Sequence, residues 1–326
     1  MNLKFLWISL LAIAFTACTF KETKKNEQID PRITTQIHRL NDQVVSGLLQ
    51  NSPEKVFAVC SDRLLGKKRD IKVIMQTLKD DLKKHPFKIQ DEYYQKNEAK
   101  KHIGIVSSGD TGDHDYTIRY ESLNKEMYVL VGYFVDSMAQ KSFTFIYGKH
   151  GNDWKLDGFQ VGISKIMNKD AIDWYQTAMS NYKRGYYIDA LCNIGLSTAL
   201  LKPANQLSQY RKEKEIEAFE QKVTSETYKK YSFPLTVNSV DTKPVIFRVY
   251  SQAIPEGYFP VILYTTTIDM HDMVNLSKEC NAIHDNIGKL FKGIDTNNKI
   301  ILYRPMKSIP TGTETGKQVG FMKKTS

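Results

Sequence analysis

Hydrophobic and polar positions divide the chain into stretches of different period. Ile33, Ile37, Leu40, Val44 and Leu48 recur at spacings of 4, 3, 4 and 4, which predicts a one-faced amphipathic helix. Asn51-Ser52-Pro53-Glu54 ends it and starts another, with Ser52 as N-cap, Pro53 in the first helical position and Glu54 at the positive end of the peptide dipoles. Ile71, Ile74, Leu78 and Leu82 mark a third helix, which stops at His85-Pro86. The period then changes to two. His102 to Val106 reads as a strand and Gly109 to Asp115 as its turn, and Tyr116, Ile118 and Tyr120 alternate with Thr117, Arg119 and Glu121. Met127 to Val135 is apolar at odd and even positions alike, the pattern of a central strand. Phe143, Phe145 and Tyr147 continue the sheet, and a hairpin over Lys149 to Asp153 leads into a last strand from Trp154 to Ile163.

Helical spacing returns at Asp170 and gives a helix–turn–helix around Lys183-Arg184-Gly185-Tyr186. Gln206 to Lys230, with alternating charges and only Ile216, Phe219 and Val223 as an apolar stripe, reads as a long exposed bridging helix. Beyond Phe233-Pro234 come strands over Pro244 to Tyr250 and Phe259 to Ile268, joined by the turn Ile254 to Gly257. A helix through Met273, Leu276, Cys280, Ile283, Ile287 and Leu290 follows, then strands at Lys299 to Tyr303 and Gln318 to Met322. The expected class is α+β, with units over 33–165, 168–232 and 233–326.

A hydrophobic share of 41% excludes wholesale disorder, and four Cys in 326 residues exclude a disulfide scaffold. Cys60, Cys192 and Cys280 sit in apolar surroundings and are expected to be unpaired. Of the 46 basic residues only nine are Arg, scattered among acidic neighbours, so no nucleic-acid partner is expected.

The N-terminus adds location. Met1 to Lys4 carries one charge, and the apolar run Phe5 to Ala17 is 13 residues, about 20 Å as a helix and too short for a ~30 Å hydrocarbon core. Residues 1–17 therefore read as a signal peptide. Phe15-Thr16-Ala17-Cys18 resembles a bacterial lipobox, with Phe15 where Leu is usual. The resemblance implies that Cys18 becomes the first mature residue and is acylated, with palmitate among the chains. Residues 18–32, polar and charged, are expected to be a flexible tether. The relaxed lipobox and Lys/Glu-rich start resemble lipoproteins of Bacteroidota-type bacteria. That implies a cell-envelope protein held to the membrane by its lipid, with the leaflet left open.

Helices followed by an antiparallel meander, closed by Trp154-Lys155-Leu156-Asp157-Gly158-Phe159, resemble the nuclear-transport-factor-2-like (cystatin-like) α+β cone over residues 33–165. The resemblance implies a curved sheet that wraps a helix and encloses a pocket. Its members include ketosteroid isomerase, dehydratases and modules that only bind or dimerise. Trp174, Ala178, Gly185, Tyr187, Ala190, Ile194 and Pro203 resemble one tetratricopeptide helix–turn–helix, where a free-standing array needs about three.

An isomerase or dehydratase in such a cone needs a carboxylate or His against an apolar wall. Asp62, His102, Asp136 and Tyr133 are candidates by type and position, though none lies in a motif. Cys280 and His284, with His271 and Asp285 near, have metal-ligand spacing, but Cys280 falls on its helix's apolar stripe. Asp110, Asp113 and Asp115 lack the calcium-loop pattern and suit a hairpin turn. Gly312 to Gln318 departs from a phosphate loop in glycine spacing and in lacking Ser or Thr after Lys317. No catalytic residue, cofactor or metal is assigned. The expectation is a membrane-anchored binding or protein-interaction module whose partner is an envelope protein or small ligand, the alternative being an enzyme with its site in the cone pocket. A filled cone favours the module; a cavity with a convergent carboxylate and tyrosine favours catalysis.

Overall fold

The computed structural model describes residues 22–82, 86–135, 138–311 and 319–325. Its class is α+β. The chain begins with β1 (Glu22–Lys25), α1 (Pro31–Gln50), α2 (Pro53–Phe57), α3 (Asp62–Leu65) and α4 (Lys68–Leu82). Then come β2 (Phe87–Lys96), β3 (His102–Ser107), β4 (Tyr116–Ser122), β5 (Glu126–Phe134), β6 (Ala139–His150) and β7 (Asp153–Ile166). The main sheet has the order β1-β2-β5-β6-β7 and is antiparallel throughout.

Alternation along β5 sends Tyr128, Leu130 and Phe134 to one face, where Phe143, Phe145 and Tyr147 of β6 join them. Ile37, Val44 and Leu48 of α1 and Ile71, Met75 and Leu78 of α4 cover that face and leave it solidly packed. Trp154 lies edge-on to Tyr94 and Tyr128, with ring centroids 6.5 Å and 6.4 Å away. The opposite face carries Tyr93, Met127, Val129, Val131 and Ile146, and Val106, Ile118 and Tyr120 pack onto it from β3 and β4.

Three features depart from the sequence reading. The hairpin β3–β4 leaves the meander and forms a second sheet, β3-β4-β9, because the outer face of β5 needs its own cover. Strand β2, which periodicity did not mark, pairs with β5 over its length. The tether expected over 18–32 is built into the fold from Glu22: β1 pairs with β2, with Glu22 opposite Lys96 and Lys25 opposite Tyr93. That strand has no apolar side chain to bury; its edge ladder and the side chains of Lys25 and Asn26 hold it, and Ile29 next to it is buried in the helical core.

The chain continues through α5 (Ala171–Lys183) and α6 (Tyr187–Ala199), the expected helical pair, turning at Gly185 with a φ of +78° that disfavours a side chain. The expected bridging helix begins late. Residues 203–210 are extended as β8 (Pro203–Gln206) and β9 (Ser208–Tyr210), and α7 covers Glu213–Tyr231. Ile216 and Val223 of α7 are fully buried against α5 and α6. The last unit comprises β10 (Leu235–Thr236), β11 (Val245–Ile254), β12 (Gly257–Thr265), α8 (Met273–Leu290), α9 (Ile294–Asn297), β13 (Ile300–Met306) and β14 (Phe321–Lys324). Its sheet runs in that strand order, antiparallel except for β12–β13. Ile188 and Cys192 of α6 belong to its core, and Asp189 accepts hydrogen bonds from Asn297 and Asn298 at 2.8 Å and 2.7 Å, so α6 serves both units.

Trp154→Ala removes the ring that fills the corner between Tyr94 and Tyr128. It is expected to destabilise the N-terminal unit by ~3–5 kcal/mol, read as a lowered denaturant midpoint. Cys60, Cys192 and Cys280 are all free and buried. Burial pushes their thiols up to about 11, about 12 and about 12 from an ordinary 9.0. With Cys18 replaced by Ser, a thiol reagent at neutral pH is expected to titrate three groups after denaturation and none before. The raised values give stability that is complete below about pH 9 and lost as pH rises towards 11–12, so the melting temperature should fall over that window.

Candidate functional site

A cavity of about 390 Å³ lies on the outer face of the main sheet, opposite the packed helical core. Beta alternation creates it. Phe143 and Phe145 of β6 point to the helices, so Gln140, Ser142 and Thr144 point outward, and these three buried polar side chains form a floor. Val131 and Tyr133 extend the floor from β5, and Ser164 extends it from β7. Tyr116 and Ile118 of β4 and Tyr210 of β9 form the roof. Pro203 and Ala204 add a wall made possible by Gly162: a Cβ there would stand 2.4 Å from the Pro203 carbonyl oxygen. Towards the other end of the strands the roof comes down on the sheet. Tyr120 lies against Gly104, and its hydroxyl donates to Gln95 Oε1 at 2.6 Å.

On the β1–β2 side stands Asp91. Its Oδ2 accepts the Tyr116 hydroxyl at 2.6 Å, and its Oδ1 accepts Lys25 Nζ at 2.8 Å and Asn26 Nδ2 at 3.3 Å. Tyr93 reaches the Tyr116 oxygen at 3.3 Å, and Lys25 also donates to the Ser108 carbonyl and lies 5.6 Å from the centroid of the Tyr93 ring. Burial raises the phenols of Tyr93 and Tyr116 far above their usual range, so both remain protonated donors. The carboxylate is thus met by three donors, one of them an ammonium. It joins β1, β2 and β4, and three of the roughly four lone-pair directions of its two oxygens are taken up in doing so.

On the β7 side, Asp170 is the N-cap of α5. Its Oδ1 accepts from the backbone of Ile172 and Asp173 at 2.9 Å and 3.0 Å, and its Oδ2 pairs with His114 Nδ1 at 2.7 Å. His114, Asp170 and Asp173 bring ligand-type atoms within 4.8 Å of one another, the one such group among the described residues. Two ligands of a tetrahedral zinc stand about 3.4 Å apart. The 2.7 Å contact between His114 and Asp170 is instead a hydrogen bond, and a metal would have to part them.

Of the residues singled out from sequence, Tyr133 and Asp110 line this cavity. Asp62 is exposed on α3, and His102 begins β3 with both ring nitrogens buried and unpartnered. Asp136, Cys18 and Gly312 to Gln318 lie outside the described residues. Cys280 is in the core of the last unit, while His284 is held by Tyr303 Oη at 2.9 Å and the Lys324 carbonyl at 3.2 Å. His271 is exposed beside Asp269, and Asp285 is exposed. The three turn aspartates diverge: Asp110 accepts from the Gly112 amide, Asp113 pairs with Lys212, and Asp115 accepts from the hydroxyls of Ser107 and Ser108. Sequence reasoning missed Lys25, Asp91, Tyr116, His114 and Asp170, which meet only through tertiary pairing. The polar triplet Gln140, Ser142, Thr144 was visible as a period-two signal between aromatics.

Asp91→Asn keeps the shape but removes the charge that Lys25 and Tyr116 address. It is expected to cost ~1–3 kcal/mol and to speed amide hydrogen exchange over residues 22–25 before the rest of the sheet opens. No protein-family model matches the chain, and no curated protein matches its sequence, so the cavity's own chemistry carries the functional reading.

Proposed function

We propose that this chain is a lipid-anchored lipoprotein of the bacterial envelope and that its body is a non-catalytic binding module, with the outer-face cavity as its site. The observation that carries the binding reading is the state of Asp91: the carboxylate that accepts a tyrosine hydroxyl at the cavity is already engaged by Lys25, Asn26 and Tyr116. An isomerase or dehydratase base has to turn a lone pair to its substrate, and three of the roughly four on Asp91 are engaged by Lys25, Asn26 and Tyr116. The solid packing of the opposite face, with Phe143 and Phe145 against the helices, points the same way. The helices before the meander and the Trp154–Phe159 strand support treating residues 33–165 as a nuclear-transport-factor-2-like variant that binds on the outside of its sheet. The pair α5–α6 supports a tetratricopeptide-like hairpin used as a brace between units.

Anchoring rests on the lipobox-like Phe15 to Cys18. Among the described residues no helix is long and apolar enough to cross a membrane, so the lipid at Cys18 would be the attachment. Cys18→Ser is expected to abolish incorporation of labelled palmitate and to move the protein from the membrane pellet to the soluble fraction. Unchanged labelling in that variant would reject the anchor.

A further inference from the structure

The cavity's lining assigns its ligand class. Its charges are paired off or balanced. Lys25 meets Asp91 at 2.8 Å and His114 meets Asp170 at 2.7 Å. The two remaining lining charges, half-buried Lys165 and exposed Asp110, have opposite signs. Outside the two pairs a charged ligand would meet only Lys165 and Asp110, of opposite signs, so the lining favours neither sign of charge over the other, and burying a charge there would be costly.

The floor offers hydroxyls and amides instead. Thr144 is only 2% exposed, yet among the described residues its hydroxyl makes no hydrogen bond, and the hydroxyls of Tyr133 and Tyr210 make none either. None of the three oxygens is sealed in the protein interior, so each is open to a partner that enters the cavity. Each hydroxyl can donate and accept, which suits a ligand whose own groups do both. The roof has the complementary character: Ile118 with the ring of Tyr116 offers an apolar surface to C–H groups. A polar floor under an apolar roof fits a molecule with hydroxyls on its rim and C–H bonds on its face. At about 390 Å³, the cavity is near the small end of the ~300–1,000 Å³ range of ligand pockets.

We propose that this cavity binds a neutral polyhydroxylated molecule, a sugar of one or two rings, between the hydroxyl floor of β5–β6 and the tyrosine-bearing roof of β4–β9. The proposal rests on the cavity being the protein's binding site.

The test uses the full chain, extracted in a detergent without a sugar headgroup, and ligand-observed NMR titrations. Glucose, galactose, N-acetylglucosamine and maltose are the neutral probes; inorganic phosphate and sodium laurate are the charged and apolar ones. At least one sugar is expected to bind saturably while phosphate and laurate do not. Thr144→Val, nearly isosteric, and Tyr133→Phe, which removes only the hydroxyl, are each expected to weaken that sugar roughly ten-fold with the melting temperature kept. If phosphate or laurate binds instead and Thr144→Val weakens it, the sugar assignment falls while the cavity remains the site. Sugar binding that neither variant changes places the sugar elsewhere and overturns the proposal. Silence from all six probes overturns the proposal and the binding reading of the cavity together.

Discussion

Strand β5 is apolar on both faces, and a strand of that kind has to be covered twice. Tyr128, Leu130 and Phe134 require one layer, Met127, Val129 and Val131 another. Helices α1 and α4, adjacent in sequence to the sheet, provide the first. The second has no helix to draw on. It comes from the hairpin β3–β4, folded back over the sheet, and from β9, contributed by a segment almost ninety residues further along. At ~25 cal/mol per Å² of apolar surface, leaving the outer face of β5 in water would forfeit several kcal/mol. That demand accounts for the interruption of the meander and for the attachment of the helical unit to the N-terminal one.

The second layer covers the sheet unevenly, and the cavity is where it stands away. Apolar outward residues lie where Val106, Ile118 and Tyr120 press on the sheet. Along β6 the outward side chains change from Ile146 to Thr144, Ser142 and Gln140, which line the open space. The Lys25–Asp91–Tyr116 contact spans the gap at its β1–β2 edge. Removing one partner would leave a buried charge uncompensated, so the contact sets the spacing of the layers even where its net contribution to stability is small. The same three donors that make Asp91 a strut use up most of its capacity to accept hydrogen bonds.

Local patterns in the sequence carried most of the elements and little of the assembly. Ile33 to Leu48 and Met273 to Leu290 repeat at helical spacing because each helix buries a single face, and β5 was readable as central because both its faces are buried. Strand β2 is hidden by Lys88 and Gln90, which are exposed, and by Asp91 and Glu92, whose partners come from other elements. Strand β1, Glu-Thr-Lys-Lys, has the composition of a tether and forms through backbone pairing and Lys25. A pocket between sheet and helices would need Tyr133 on the inner face, yet odd-numbered residues of β5 face outward. A one-residue step decides the face, and residue type alone does not reveal it. Asp91, Tyr116 and Asp170 are distant in sequence and enter no spacing motif, so their meeting was not legible before the fold.

Strand β1 also bears on how an anchored protein would present its cavity. Cys18 and Glu22 are four residues apart, and four extended residues reach at most about 14 Å. A lipid on Cys18 would therefore hold the Glu22 end of the sheet near the bilayer, without the reach that a tether ending at residue 32 would have had. Glu22 pairs with Lys96, and Lys96 with Glu126, at the start of β5. Tyr133, on the cavity floor, lies seven residues further along that strand, about 23 Å away. On this reading the ladder that fastens β1 to β2 also sets the orientation, because it places the anchor at one end of the sheet and the polar floor towards the other. An anchor at Cys18 would then lie nearer the Lys25 edge of the cavity than the Tyr133 end of its floor.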